Sequence, residues 1–128
     1  MIIDQFTNIT IISLGSVLGA NIRLFLIKKF QPIQITKSKR ILIVNLIASL
    51  ILGFYSHLFI EYNLQNNNQM LILFLIGFIG SLSTFSSFIY CIFKLSLKRQ
   101  FKNVIKLIIS SIFFCVIFFF IGTILGDI

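Results

Sequence analysis

The stretch GSLSTFSSF, residues 80–88, places five hydroxyl side chains in one of the most apolar parts of the chain. It follows MLILFLIGFI and precedes IYCIFKL, so both flanks suit a lipid environment. One or two serines in a membrane helix satisfy themselves by bonding back to a backbone carbonyl. Five hydroxyls within seven residues, just after Gly77 and Gly80, instead predict that the helix breaks here. Because irregular backbone at membrane depth is tolerated only inside protein or beside water, the stretch also predicts a functional site.

The composition of the whole chain agrees with a membrane location. Of its 128 residues, 58% are hydrophobic and 11% are charged, and the mean hydropathy is +1.06. A soluble domain of this size needs more surface charge. A helix needs roughly 20 apolar residues to cross a bilayer, and four continuous runs qualify. The sequence therefore predicts an all-α membrane protein, one domain over residues 1–128, with transmembrane helices at about 9–27, 41–60, 70–95 and 104–125.

The net charge of +8 is interpreted as a topology signal and not as a nucleic-acid-binding surface. Ten of the eleven basic residues lie in the stretches 28–40 and 94–106, and Arg23 lies near the same side. The three acids, Asp4, Glu61 and Asp127, lie at the opposite ends of the spans. By the positive-inside rule, both basic loops are cytoplasmic and both termini are outside. We therefore expect a multi-pass protein of the plasma (inner) membrane with the lipid bilayer, and no nucleic acid, as its partner.

The predicted spans contain no Asp or Glu, which bears on the class of transporter. Proton-coupled exporters commonly titrate an acid inside the membrane. The sequence therefore favours a passive path. A small proton-coupled multidrug-type exporter is the alternative, and a purely structural subunit without a pore is a third hypothesis. His57 is interpreted as an interfacial residue without a partner carboxylate, and Cys91 and Cys115 as small reduced core residues.

Small and polar side chains mark the other helices, each with two possible roles. Gly15 and Gly19 form a GxxxG pair, which lets helix backbones approach closely. Arg23 either extends to the interface or acts as a clamp or a positive charge near an anion entrance. Asn45 makes an interhelical hydrogen bond or donates into a pore. In the last helix, one of two adjacent serines (Ser110, Ser111) extends a polar track, or both bond back to the helix.

Phe85 and Phe88 are three residues apart and therefore share one helix face. The edge of an aromatic ring is electropositive. Two ring edges can line a path for a small anion without a full charge that would trap it. The alternative is ordinary core packing, since the chain has 16 phenylalanines.

Three motifs, in order along essentially the whole chain, resemble those of the CrcB, or Fluc, family of fluoride ion channels. GSVLGANIR (15–23) resembles the family's GGxxGAxxR, VNLIASLILG (44–53) its VNxxGSFxxG, and GFIGSLSTFSSF (77–88) its GFxGGFTTFSTF. The resemblance implies a passive channel, not an enzyme, that exports cytoplasmic fluoride. It also implies an antiparallel dimer of four-helix subunits with two pores.

The resemblance also implies roles for individual residues. Gly80 and Ser83 match positions whose backbone carbonyls hold a structural sodium ion (Na+) at the dimer centre. Gly15, Gly19 and Arg23 match structural positions. The residues that match the fluoride pathway are Asn45, Thr84, Phe85, Ser86, Phe88 and Ser111.

The charge count predicts the kind of dimer, and two departures from the family pattern bear on it. Where the family usually has Gly-Thr before the asparagine, this chain has Arg40-Ile41, and Leu107 replaces a tyrosine often found in the last helix. An antiparallel homodimer requires one chain to insert in both orientations, whereas the basic residues here lie on one side. We therefore expect a heterodimer with a paralogous subunit, whose pathway supplies the missing polar residues or makes them unnecessary.

Overall fold

The computed structural model describes residues 2–31, 36–61, 69–83 and 85–127. Over these residues the chain is helical apart from short connections, which confirms the all-α class. The helices are α1 (Ile2–Lys29), α2 (Lys37–Glu61), α3 (Gln69–Leu82), α4 (Phe85–Leu97) and α5 (Phe101–Gly126).

Four helical segments within the described ranges are long and apolar enough to cross a membrane, as the sequence predicted. They extend beyond the apolar runs because charged residues continue the terminal turns. Lys28 and Lys29, for example, form the last turn of α1, where cations interact favourably with the negative end of the helix dipole. The four segments are Ile3–Lys29, Lys37–Phe59, Leu71–Leu97 and Phe101–Gly126.

The third of these segments is made of two helices, α3 and α4. Ser83 lies in a bend between them, and its amide donates to the Ile79 carbonyl at 3.0 Å. Thr84 lies outside the described residues. The interruption predicted for this segment depends on the conformation of Thr84, and so it stays a prediction.

The α1 helix packs mainly against α3, through backbone contact at two glycines. A methyl group on Gly15 would clash with the Phe74 carbonyl oxygen. One on Gly19 would clash with the Phe78 carbonyl and the Ser81 hydroxyl. The pair in GSVLGANIR therefore lies where two helix backbones touch.

The α2 helix packs mainly against α5 in the same manner. Gly53 lies against the backbone of Phe119, and Gly122 lies against the Leu50 carbonyl. Both glycines are buried. This pairing holds α2 and α5 close together along their second halves and sets the position of the C-terminal residues beside the end of α2.

The α4–α5 connection is a tight turn. The Gln100 amide donates to the Leu95 carbonyl at 3.1 Å, and the Arg99 amide donates to the Ser96 carbonyl at 2.9 Å. This is the Schellman pattern, in which a residue of left-handed conformation ends a helix. Arg99 takes that position with φ 54°. The turn directs α5 back along α4 and places the second basic stretch at one end of the bundle.

The core lies where α2 meets the last turn of α3. Val44, Ala48 and Leu82 are almost completely buried there. Elsewhere the surface is strongly apolar, with exposed phenylalanines such as Phe6 on α1 and Phe120 on α5. A surface of this kind suits hydrocarbon or another protein and not water. The residues packed around the core are Leu26, Ile27, Ile51 and Phe78.

Candidate functional site

A cleft of about 450 Å³ lies where α2, α4 and α5 meet. It brings together four residues that the sequence analysis assigned to the ion pathway: Asn45 from α2, Phe85 and Phe88 from α4, and Ser111 from α5. Ser83, in the bend before α4, also lines this cleft. The other lining residues are Ile89, Ile92, Ile108, Ile112 and Cys115.

The cleft contains two polar side chains that have no partner in the described part of the chain. Neither the Asn45 amide nor the Ser111 hydroxyl makes a hydrogen bond there. The neighbouring Ser110 differs, because its hydroxyl donates to the Leu107 carbonyl at 3.1 Å. An amide NH₂ and a hydroxyl are both donors. Asn45 and Ser111 therefore offer hydrogen-bond donors to an ion or water in the cleft.

The two phenylalanines give the cleft an aromatic wall. Phe88 is half-buried, whereas Phe85 is 75% exposed. Both belong to the first turns of α4, and their spacing puts them on one face. Because Phe85 is so exposed, this wall is open to the outside in a single subunit.

Ser86 and Gly80 lie away from this cleft. Ser86 lines a second cleft of about 320 Å³ together with Lys37, Ser87 and Tyr90. The Lys37 ammonium lies 5.0 Å from the centre of the Tyr90 ring, which is a cation–π distance. Gly80 borders an apolar groove between α2 and α3, and a methyl group on it would meet nothing within 4 Å. Thr84 is outside the described residues.

Two residues that depart from the family pattern, Ile41 and Leu107, do not line the main cleft. Ile41 is 3% exposed and belongs to the core, and Leu107 is half-buried on α5. Arg23 is half-buried on α1, and within the described ranges no carboxylate pairs with it. The described part of the chain therefore gives Arg23 no ion pair.

The sequence analysis did not predict the apolar residues that line the main cleft, nor that Cys115 lies among them. Ile108, Ser111 and Cys115 recur at three- and four-residue intervals on α5, so one helix face forms this wall. Counted from Ser111, which the sequence analysis had named, that spacing was the signal that could have identified Ile108 and Cys115. Cys115 was predicted to be a core residue, but it is a free, half-buried thiol at the cleft.

His57 was predicted to lack a partner carboxylate, and the structure shows that this was wrong. Its Nδ1 lies 3.4 Å from Oε2 of Glu61, and its Nε2 lies 3.8 Å from Oδ1 of Asp127. Glu61 is one helical turn further along α2. Asp127 is distant in sequence and reaches His57 because α5 ends beside the end of α2.

Comparison with known proteins agrees with these motifs. Residues 10–123 match the model of the family described as CrcB-like protein, Camphor Resistance (CrcB). A protein of Prochlorococcus marinus (strain NATL2A) named Fluoride-specific ion channel FluC 2 is 40% identical over 121 residues, covering 94% of this chain and 98% of that protein. A protein of the same name from P. marinus subsp. pastoris (strain MED4) is 36% identical over 124 residues, with 93% and 94% covered.

A more distant relative covers part of the chain. A protein of Acinetobacter baumannii (strain ATCC 17978) named Fluoride-specific ion channel FluC is 40% identical over 77 residues, which is 60% of each chain. No solved structure matches. The family model and the two Prochlorococcus relatives each cover most of the sequence, and the chain belongs to the CrcB family.

Proposed function

We propose that this chain is a passive, fluoride-selective ion channel that exports cytoplasmic fluoride and so reduces its toxicity. The cleft lined by Asn45, Ser111, Phe85 and Phe88 is the observation that carries the proposal. The names of the relatives that match along nearly the whole chain support fluoride as the ion. A channel moves its ion down a gradient and breaks no bond, so the protein is not an enzyme.

The chemistry of the cleft suits a small, strongly hydrated anion. An ion that enters a narrow path must lose water, and the Asn45 amide and the Ser111 hydroxyl replace some of the lost hydrogen bonds. The electropositive edges of Phe85 and Phe88 add attraction without a full charge. Conduction requires binding that is favourable enough for entry and weak enough for exit. Donors of this modest strength meet both requirements, and the isoleucines give the rest of the cleft an apolar lining.

The second cleft supports a route toward the basic side of the protein. Its lining combines Lys37 with the hydroxyls of Ser86 and Ser87. A positive charge at the mouth of a cleft raises the local concentration of anions. We assign Ser86 to this approach. Thr84, which lies outside the described residues, stays a pathway candidate on the family motif alone.

The bend at Ser83 is the proposed site of a structural sodium ion. Within the described ranges, no amide donates to the Ser83 carbonyl, and the space beside Gly80 is open. Carbonyls freed at a helix interruption are the groups that coordinate Na+ in other membrane proteins, so the residues fit the ion. Bound there, Na+ would supply positive charge that holds the carbonyls of Gly80 and Ser83 in place.

The charge distribution supports a fixed orientation in the plasma (inner) membrane. The basic stretches join α1 to α2 and α4 to α5, and both termini lie at the opposite ends of these helices. The positive-inside rule then makes the basic side cytoplasmic and both termini external. The open wall at Phe85 supports pairing with a second, antiparallel subunit. Because this chain is biased to one orientation, that subunit is proposed to be a paralogue.

A proton-coupled exporter would require a titrating acid within the spans. Each of the three acids instead lies at a helix end: Asp4 in the first turn of α1, Glu61 at the end of α2 and Asp127 after α5. No observation within the described residues favours this alternative. It can be separated from a channel by the gradient that drives transport.

The test is fluoride efflux from liposomes that contain this chain, alone and with a homologous chain encoded in the same genome. We expect efflux that requires a fluoride gradient and no proton gradient. Phe85→Ile and Phe88→Ile should each remain folded and reduce the flux at least roughly tenfold, the effect of a barrier about 1.4 kcal/mol higher. Phe6→Ile, at an exposed position of α1, is the matched control and should leave the flux unchanged. A requirement for a proton gradient, or normal efflux from both folded α4 variants, would contradict the proposal.

A further inference from the structure

Three of the chain's four histidine and acidic residues meet at one point. The sequence contains one histidine and three acids, and His57, Glu61 and Asp127 lie together where α2 and α5 end. One potential ligand atom from each residue lies within 4.8 Å of the other two. The protein thus brings most of its histidine and carboxylate side chains together at the end of the bundle opposite the basic loops.

The backbone explains how the cluster is assembled. His57 and Glu61 are one turn apart on α2 and share a face. Asp127 is held at the end of α5, where its amide donates to the Ile124 carbonyl at 3.2 Å. Gly126 favours the approach, because a methyl group there would lie 3.1 Å from the His57 Cβ and the two helices would have to separate by a few tenths of an ångström. A glycine therefore brings the carboxylate of the following residue beside the imidazole.

The contacts among the three residues leave one polar atom without a hydrogen bond. The Nδ1 atom of His57 is buried and has no hydrogen-bond partner within the described residues, although Glu61 Oε2 lies 3.4 Å away. Such an atom costs free energy unless something binds it. The carboxylates remain accessible, with the side chains of Glu61 and Asp127 exposed by 52% and 73%. A cation from water can therefore reach the cluster.

We propose that His57, Glu61 and Asp127 form a binding site for a divalent transition-metal ion of the zinc type. Zinc takes imidazole nitrogen and carboxylate oxygen at roughly 2.0–2.2 Å in tetrahedral geometry, which separates its ligand atoms by about 3.4 Å. The His57 Nδ1 and Glu61 Oε2 atoms already have this separation. In the proposed site the exposed Asp127 side chain would rotate from Nε2, where its Oδ1 lies at 3.8 Å, toward the ion at Nδ1.

The donor set also selects among cations. Two carboxylates and a neutral imidazole balance the charge of a divalent ion, and water completes the fourth position. Magnesium and calcium prefer oxygen ligands and do not use the imidazole. The bound ion would link the ends of α2 and α5, and this role is independent of fluoride conduction.

The test is calorimetric titration of the purified full-length protein in detergent with zinc chloride, together with thermal unfolding with and without zinc. We expect saturable binding and a higher Tm in zinc, and no such shift in magnesium. His57→Gln and Glu61→Gln should each weaken zinc binding at least about tenfold. Removing even a group that only hydrogen-bonds to a metal ligand lowers metal affinity by about that factor. Asp4→Asn, which changes the remaining acid, should bind zinc like the unmodified chain.

Each other outcome would overturn the site. Unchanged binding by His57→Gln would assign the zinc to Cys91 or Cys115, which that variant retains. A Tm that responds to pH but not to zinc would mean that the three residues form a proton-linked ion pair and no metal site. If His57→Gln does not fold, Asp127→Asn decides, because its side chain is 73% exposed at the end of α5. Normal zinc affinity in a folded Asp127→Asn variant would contradict the proposed ligand set.

Discussion

Ser110 and Ser111 are neighbours on α5 but differ in hydrogen bonding. The Ser110 hydroxyl donates back to Leu107 at 3.1 Å. Thr10 and Ser13 on α1 bond back to their own helix in the same manner, which is the usual behaviour of hydroxyls in membrane helices. Ser111 is 8% exposed and lines the cleft without such a bond. Its hydroxyl is therefore available to a conducted ion.

We predict that Ser111→Ala lowers fluoride flux and that Ser110→Ala does not. Removing one donor to an ion costs about 1 kcal/mol net, which corresponds to roughly a fivefold change in rate. Efflux from liposomes at equal amounts of folded protein measures both variants. Equal losses in the two variants would indicate a general packing defect, and normal flux in Ser111→Ala would remove this residue from the pathway.

The sequence named candidate residues for the site but not how they group in space. The shared face of Phe85 and Phe88 follows from spacing within one helix, and the resemblance to the family singled out Asn45. Whether Ser110 or Ser111 faces the path could not be deduced from residue type, because it depends on the rotation of α5 against α2 and α4. His57 shows the same limit, since Asp127 becomes its neighbour only through the packing of two helices.

At the scale of elements, the hydroxyl-rich stretch separates into groups with different partners. The Ser81 hydroxyl donates to the Phe78 carbonyl at 3.1 Å and is satisfied within α3. Ser83 lines the main cleft, and Ser86 and Ser87 line the second. Because its hydroxyls line two different clefts, the stretch contributes polar groups to both faces of the segment. A sodium ion at the bend would satisfy backbone carbonyls that these hydroxyls do not reach.

We predict that the protein's thermal stability depends on sodium. An ion that binds only the folded state at 100 times its Kd stabilises that state by about 2.7 kcal/mol. Replacing Na+ by N-methylglucamine at equal ionic strength should therefore lower the Tm. Ser83→Ala keeps the backbone carbonyl, so this variant should retain the sodium dependence. Equal Tm values in the two salts would argue against the site, and loss of the dependence in Ser83→Ala would assign the ligand to the hydroxyl.

The glycine pattern predicted close helix contact but not the contacting helices. Gly15 and Gly19 indicate that one face of α1 admits another backbone, and the structure shows that this backbone belongs to α3. The partner could not be identified from the pattern, because a small-residue face fits any helix of suitable shape. The helices extend past the predicted spans, most of all α1, which begins at Ile2. Bilayer thickness limits the apolar run within a helix and not the length of the helix.

At the scale of the whole molecule, one subunit does not enclose the proposed path. Phe85 is 75% exposed, and large apolar side chains cover the outer faces of α1 and α5. Lipid hydrocarbon covers such an apolar surface well, but it provides no hydrogen-bond donor or positive charge to an anion beside Phe85. A second subunit packed there would close the path on that side. The orientation of that subunit is limited by the basic residues of this chain.

All eleven basic residues lie on or near one side of the predicted topology. Each Lys or Arg near the end of a span biases insertion, and the bias accumulates in short loops. Dual insertion, which an antiparallel homodimer requires, would need nearly balanced charges. This chain should therefore insert with both termini outside. An antiparallel dimer would then require a homologous chain of the opposite bias.

We predict that a C-terminal reporter that is active only in the cytoplasm stays inactive when this chain is expressed without its paralogue. The matched control neutralises three of the five basic residues in the second basic stretch, with Lys98→Gln, Arg99→Gln and Lys102→Gln. This variant should give measurable reporter activity, because fewer charges hold the α4–α5 turn inside. Activity of the unmodified fusion near half that of a cytoplasmic control would mean dual insertion and would overturn the heterodimer. An inactive reporter, together with efflux that appears only when the homologous chain is added, is the result we expect.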